Sequence, residues 1–185
     1  MKPFNFKPML IRNVKVTPGQ LDKLRGLAAQ PKIDGVRLAI VVREKRDPLL
    51  FFSRSGQEIS PAVKEALQDM LTNVKDSSQF LQQVYDCELV YNKDCAATTG
   101  ILHAKSKELE PGKLELYVFD TLQLDGQGRP CCFSSLAFRL LCLDSIKDNF
   151  IDPRIHVVPC WQHTSHASSL MNATAFAKQN ALPLE

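Results

Sequence analysis

The sequence has no apolar run approaching the about 18 residues that a membrane-spanning helix requires. Its first residues, Met1 to Asn13, interleave Lys2, Lys7 and Arg12 with short apolar stretches, so they hold no signal-peptide core. A paired-cysteine signature is missing as well. Cys87, Cys95, Cys131, Cys132, Cys142 and Cys160 form no C-x-x-C, and reduced thiols in a cytoplasmic protein are expected rather than a disulfide framework. Nor is there a large excess of one charge. A net charge of +3 and a pI near 8.5 permit phosphate contact but exclude a dedicated nucleic-acid packing protein, which would be far more basic. Internal repeats, low-complexity segments and an interdomain linker are all absent.

What is present fits one ordinary domain of 185 residues, 44 % apolar and 23 % charged, large enough to bury a core. Thr17-Pro18 starts a short helix to about Leu27, with Thr17 as N-cap. Val36–Val42 and Leu49–Arg54 read as a hairpin. Ser60-Pro61 opens a helix whose inner face carries Val63, Leu67, Met70 and Leu71. Val84–Tyr91 is a strand, and residues 94–109 a loop or short helix. Leu114–Leu124 is a strand with Leu114, Leu116, Val118 and Asp120 on one face and Glu115, Tyr117 and Phe119 on the other. Residues 134–148 form a helix with Leu136, Leu140, Leu143 and Ile146 inward. Arg154–Trp161 is a strand and Ser168–Gln179 a helix. The order implies an α+β fold with a largely antiparallel sheet flanked by helices.

One stretch stands out: Gln30-Pro31-Lys32-Ile33-Asp34-Gly35-Val36-Arg37. Lys32 sits at the mouth of a strand, Gly35 allows close backbone approach, and Arg37 offers a planar fork for phosphate or ribose oxygens. Lys32 and Asp34, two apart, share a side of an extended chain. An amine activated by neighbouring cations is a potential covalent nucleophile. Taken alone, the pattern is also that of a charged turn leading into a strand. Three further stretches tip the balance. Arg54 lies at a strand end before Gly56, Asp86 and Glu88 share one strand face, and Tyr117 and Phe119 place two rings on one face of another strand. A nucleophile, cations, a ribose acceptor and a stacking platform are the parts of a nucleotide-transfer site.

With these motifs, the sequence resembles the adenylation domain of ATP-dependent DNA ligases, within the nucleotidyltransferase (ATP-grasp-like) family that also holds RNA ligases and mRNA-capping enzymes. Lys32–Arg37 is similar to that family's first motif, Asp86-Cys87-Glu88 to its D-G-E motif, and 116–126 to its aromatic motif. Thr99–Leu102 resembles a segment of the short phage-type ligases. The resemblance runs from about Lys7 to Glu185. It implies that Lys32 attacks the α-phosphate of ATP, with Gln30 and Pro31 near the adenine. Arg37 and Arg54 would contact nucleotide or nick phosphate, Glu88 would hold the ribose, and Phe119, or else Tyr117, would stack on the base. Asp34, Gly35 and Asp86 support the motifs. Mg²⁺, with Glu88 and Glu185 as its carboxylates, would neutralise the triphosphate. The implied partner is nicked duplex DNA, sealed by a monomer during replication, repair or recombination. Arg37 favours a DNA-joining member, because RNA-joining relatives more often carry Ser or Glu beside the glycine.

The chain departs from the pattern at Cys87, where Gly is usual, and at its C-terminus. Residues 181–185 resemble the approach to the family's fourth motif, and no K-x-K motif or OB domain follows. The expectation is an adenylation domain spanning 1–185 and incomplete at that end. RNA ligase, capping-type nucleotidyltransferase and a non-catalytic nucleotide- or DNA-binding remnant stand as alternatives. Cys160, His163 and His166 have spacing too short for the usual zinc pattern. Cys131-Cys132 reads as packing, and Lys105 with Lys107 as a solvated loop.

Overall fold

The computed structural model describes residues 17–24, 28–44, 48–56, 58–72, 74, 81–104, 109–124, 135–180 and 182. In chain order the elements are α1 (Pro18–Leu21), β1 (Ala28–Ala29), β2 (Val36–Val42), β3 (Leu50–Ser53), α2 (Pro61–Met70), β4 (Gln83–Tyr91), α3 (Cys95–Leu102), β5 (Leu114–Gln123), α4 (Leu136–Ile146), β6 (Ile155–Val157), β7 (Trp161–Gln162) and α5 (His166–Gln179). The described residues fall into two compact units, one within 33–157, the other within 17–32 and 158–182.

The larger unit is built on a five-stranded sheet in the order β3-β2-β4-β5-β6, antiparallel throughout except for the parallel β5–β6 pair. Its register follows from side-chain alternation. Leu38, Ile40 and Val42 on β2 line up with Cys87, Tyr85 and Gln83 on β4, and Cys87 and Leu89 with Val118 and Leu116 on β5. One sheet face is thereby almost wholly apolar. It packs against Val63, Leu67 and Met70 of α2, Ile101 and Leu102 of α3, and Leu143 and Ile146 of α4. At about 25 cal/mol per Å² of buried apolar surface, this continuous core is the main stabilising term of the unit.

The helices of this unit start at capping side chains, of which Ser60 is the one expected from the sequence. The Ser60 hydroxyl accepts from Val63 N at 3.4 Å and Pro61 occupies the first turn. Asp94 caps α3 through Ala97 N at 3.0 Å, and Ser135 caps α4 through Phe138 N at 3.3 Å. Each cap satisfies an amide that the helix itself leaves unpaired. On α4 the expected apolar face holds only in part: Leu143 and Ile146 are buried, whereas Leu136 is 39 % exposed.

The smaller unit contains α1, α5 and the short antiparallel β1–β7 pair, in which Ala28 meets Gln162 and Ala29 meets Trp161. At α1 the Gln20 side chain accepts from Thr17 N at 2.8 Å, one arm of a capping box. The helix runs four residues and tightens into a 3-10 turn over Asp22–Leu24; the expected end near Leu27 lies outside the described residues. Asp22 accepts from His166 N at 2.8 Å, tying this turn to the start of α5. Ser165 caps α5, so the helix begins before the expected Ser168.

Two further expectations need correction. Arg154–Trp161 is not one strand: β6 and β7 belong to different sheets, separated by the irregular residues 158–160, where Pro159 has no N–H to donate. On β5 the regular alternation breaks at a β-bulge. Asp86 pairs with Asp120 but Cys87 pairs with Val118, leaving Phe119 as the extra residue. Asp120 therefore does not share a face with Leu114, Leu116 and Val118, as strict alternation would require.

Candidate active site

The K-x-D-G-x-R stretch spans the boundary between the units: Lys32 is the last residue of one segment and Ile33 the first of the next. Lys32 is exposed and follows β1, with Gln30 and Pro31 half-buried before it. In the larger unit, Asp34 is exposed, and Gly35 stands at the head of β2. A Cβ at Gly35 would lie 2.3 Å from the Leu89 carbonyl oxygen, 2.9 Å from Val90 Cγ2 and 3.0 Å from Glu88 Cγ. No other residue fits there unless β2 and β4 move apart, so Gly35 is a close-approach glycine. Its own carbonyl accepts from the Cys95 thiol at 3.2 Å, which fixes the start of α3 beside the motif.

Two positions further on, Arg37 is directly opposite Glu88 on β4. Its side chain turns diagonally to Asp86, with Nε donating to Oδ1 at 2.8 Å and a second guanidinium nitrogen bonded to Oδ2. This two-pronged pairing is the strong, geometrically defined kind. The bond to Asp86 raises Arg37 above its ordinary pKa against the opposing effect of burial. Asp86 is 3 % exposed, and burial lifts its carboxyl above the usual range although Arg37 pulls the other way. The Arg37 guanidinium also lies over the Phe119 ring, 5.3 Å from its centroid, a cation–π distance.

The middle residue of D-C-E points to the opposite side. Cys87 is fully buried between Leu38 and Val118, and burial pushes its thiol well up. Cys87 thus fills the core and stands on the sheet face opposite Asp86 and Glu88.

Asp86 and Glu88 share one face as expected, but the two aromatic rings differ. Tyr117 stands opposite Glu88, is wholly buried, stacks on His156 with centroids 4.6 Å apart, and donates to Glu115 Oε2 at 2.5 Å. Burial, then the Glu115 bond, raises its phenol. Its ring is thus committed to protein partners, whereas Phe119 is half-buried in the bulge. Register gives a row of four polar side chains across four strands: Arg37, Glu88, Tyr117 and His156. Arg54 lies one residue past β3, exposed, in a turn closed by Gly56 N donating to Ser53 O at 2.8 Å.

Sequence reasoning passed over two charged residues here. Asp120 is gripped by Arg139 of α4, whose Nε lies 2.8 and 3.1 Å from the two carboxylate oxygens and whose terminal nitrogen lies 2.8 Å from Oδ2. The available signal was Arg139 as the lone cation of the helix LAFRLLCLDSI. Among the described residues, no group of three or more His, Cys, Asp or Glu side chains could hold a metal ion, and Cys160, His163 and His166 form no such group. His163 instead pairs through Nδ1 with Ser169 Oγ at 2.6 Å. Glu185, Lys105, Lys107 and the Cys131-Cys132 pair lie outside the described residues. No described helix is long and apolar enough to cross a membrane.

The mixed sheet and its helices are those of a nucleotidyltransferase domain of the ligase type. The chain belongs to the ATP-dependent DNA ligase domain family, whose model, described as "ATP dependent DNA ligase domain", matches residues 8–172. DNA ligase 1 of Korarchaeum cryptofilum (strain OPF8) is 28% identical over 128 residues, covering 65% of this chain and 23% of that protein. The chain thus spans about a quarter of that relative's length. Among solved structures, the ATP-dependent DNA ligase of bacteriophage T7 in complex with ATP superposes with a TM-score of 0.55 at 18% identity, over 82% of this chain and 53% of that one. An archaeal ATP-dependent RNA ligase gives 0.55 at 16% identity, over 95% and 42%. These structural likenesses establish the fold.

Proposed function

We propose that this chain performs the adenylation chemistry of an ATP-dependent DNA ligase, with Lys32 as the nucleophile. The observation that carries the reading is that Lys32-Ile-Asp-Gly-Val-Arg37 leads into β2 while Arg37 is matched to Glu88 and bonded to Asp86 of the D-x-E strand. A nitrogen–phosphorus bond forms between Lys32 Nζ and the α-phosphorus of ATP as the bond to pyrophosphate breaks and the amine gives up a proton. The AMP then passes to a 5′-phosphate, and a 3′-hydroxyl displaces AMP to close the strand.

The chain's own residues supply positioning and charge. Arg37 is held rigid by Asp86, so the guanidinium N–H groups left over from that pairing would meet nucleotide phosphate or ribose with little ordering cost. Glu88 accepts from the ribose hydroxyls. Phe119 offers a base platform; Tyr117, enclosed by His156 and Glu115, backs the wall. Gln30 and Pro31 would line the adenine side, and Arg54 would meet a phosphate of the nick. Glu88 is the carboxylate that would hold a Mg²⁺ accompanying the triphosphate, and Glu185, expected beside it, lies outside the described residues. When bound, that ion neutralises the departing pyrophosphate. Nicked duplex DNA is the proposed substrate and a monomer the proposed state. The proposed setting is DNA replication, repair or recombination in a bacterial or phage-infected cytoplasm.

An RNA-joining activity is the second reading, because the fold is shared alike with a DNA ligase and an RNA ligase structure and does not separate the two substrates. Intact mass after incubation with ATP and Mg²⁺ tests the first step: one AMP is expected on the native chain and none on Lys32→Ala. Labelling by GTP alone would overturn the ligase reading in favour of a capping-type enzyme. Pre-adenylated nicks in DNA and in RNA, offered side by side, then separate the two substrates.

A further inference from the structure

Asp86 and Asp120 are directly paired across β4 and β5. Two carboxylates facing each other on neighbouring strands repel, and each here has its own arginine, arriving from a different element. Arg37 of β2 takes Asp86; Arg139 of α4 takes both oxygens of Asp120 at 2.8 to 3.1 Å. Asp120 also acts on Arg37 electrostatically, raising its pKa alongside Asp86 and Glu88. Phe119, the residue beneath the Arg37 guanidinium, is the bulge residue adjoining Asp120.

We propose that Arg139 is a positioning residue for the nucleotide-binding face: by occupying Asp120 it keeps Arg37 on Asp86 and over Phe119. The proposal rests on the function read above for Arg37. One guanidinium cannot serve two carboxylates in a two-pronged manner at once. Without Arg139, Asp120 loses its two-pronged partner with only 19 % of its side chain exposed, and Arg37 becomes the cation it competes for. The site would then lose its orientation although no residue that touches nucleotide had changed. The same logic predicts a rescue. Removing the Asp120 charge removes the competitor, so Arg37 should return to Asp86 even with Arg139 gone. An Arg139 that only braced the fold would show the opposite, because deleting both halves of the bridge would be no better than deleting one.

The test uses the full 185-residue chain as Arg139→Gln, Asp120→Asn and the double variant. The first readout needs no ATP: the Arg37 Nε–Hε resonance, assigned by its loss in Arg37→Lys. It should shift, and exchange with water about tenfold faster, in Arg139→Gln, the factor set by one lost charged hydrogen bond. It should return in the double variant and stay in place in Asp120→Asn. The second readout is ATP affinity, weakened about tenfold in Arg139→Gln and restored to within about threefold in the double variant. An unmoved resonance in Arg139→Gln, equal displacement in single and double variants, or displacement in Asp120→Asn would each overturn the proposal. Should Arg139→Gln fail to fold, Arg139→Lys, which keeps the charge but not the two-pronged grip on Asp120, takes its place: a shifted resonance is expected, and an unmoved one would overturn the proposal. A native chain that binds no ATP would sink the proposed function, while the resonance would still judge the clamp.

Discussion

The two faces of the five-stranded sheet are made from the same strands yet follow different rules. On one, Leu38, Ile40, Val42, Tyr85, Cys87, Leu89, Leu116 and Val118 pack as a continuous apolar layer against three helices. On the other, a small apolar cluster of Ala39, Val41, Val84, Leu122 and Leu124 gives way within one or two residues to Arg37, Asp86, Glu88 and Asp120. The first face is held by area and shape, which tolerate change in proportion to the volume lost. The second is held by charge pairing in a poorly solvated setting, where losing one partner strands the other. Stability and chemistry are therefore separable on this sheet, side by side along single strands.

The sharpest way to break that comparison is Arg37→Ala. It leaves Asp86 buried without its cation and should cost about 4 kcal/mol between stability and nucleotide binding. Melting temperature and ATP affinity, measured together, should both fall. Its neighbour on the other face gives the contrast: Leu38→Ala should cost about 3 kcal/mol of unfolding free energy, read by urea denaturation, with AMP labelling per folded molecule unchanged. Equal effects of both variants on labelling would contradict the separation of faces. Gly35→Ala sits on neither side. A methyl group at 2.3 Å from the Leu89 carbonyl and 3.0 Å from Glu88 Cγ must push β2 off β4. That should destabilise by about 2 kcal/mol and also reduce AMP labelling, so it is the variant expected to spoil both faces together.

The smallest effect is a pH dependence at the row's far end. Burial lowers His156 below the ordinary imidazole value of 6.5, with Glu115 opposing and Lys93 assisting. The unfolded chain therefore takes up this proton more readily than the folded one. Its contribution is intact above pH 6.5 and is lost as pH falls from 6.5 through the lower folded value. Unfolding free energies measured on both sides of that window should show a loss on the acid side that His156→Phe, which keeps an aromatic ring against Tyr117, removes. A decline of the same size in His156→Phe would assign the effect to other groups.

Much of this was legible in the residues. The cap at Ser60 acts through a single local hydrogen bond, and the β2–β3 hairpin and α2 announce themselves by periodicity. The motif residues Arg37, Asp86 and Glu88 fell on one face because alternation of β2 and β4 is regular through that region. What stayed hidden was non-local. The bulge at Phe119 exists only in the pairing of β4 with β5, so alternation along β5 alone put Asp120 on the wrong side. Arg139 reads as an odd cation in an apolar helix until the fold brings Asp120 to it. The break at Pro159 was present in the sequence, but the apolar residues around it masked the missing donor.

The sheet's longest strands, the nine residues of β4 and the ten of β5, lie inside it, while β3 at one border has four residues and β6 at the other has three. Unpaired backbone amides and carbonyls are what recruit a foreign strand onto a sheet, and short borders present few of them. β4, paired with β2 on one side and with β5 along its whole length on the other, is thereby shielded from pairing with another copy. Extending β6 to the length of β5 would create a continuous docking rail, and the same sequence would then trend toward ribbon-like self-assembly at high concentration.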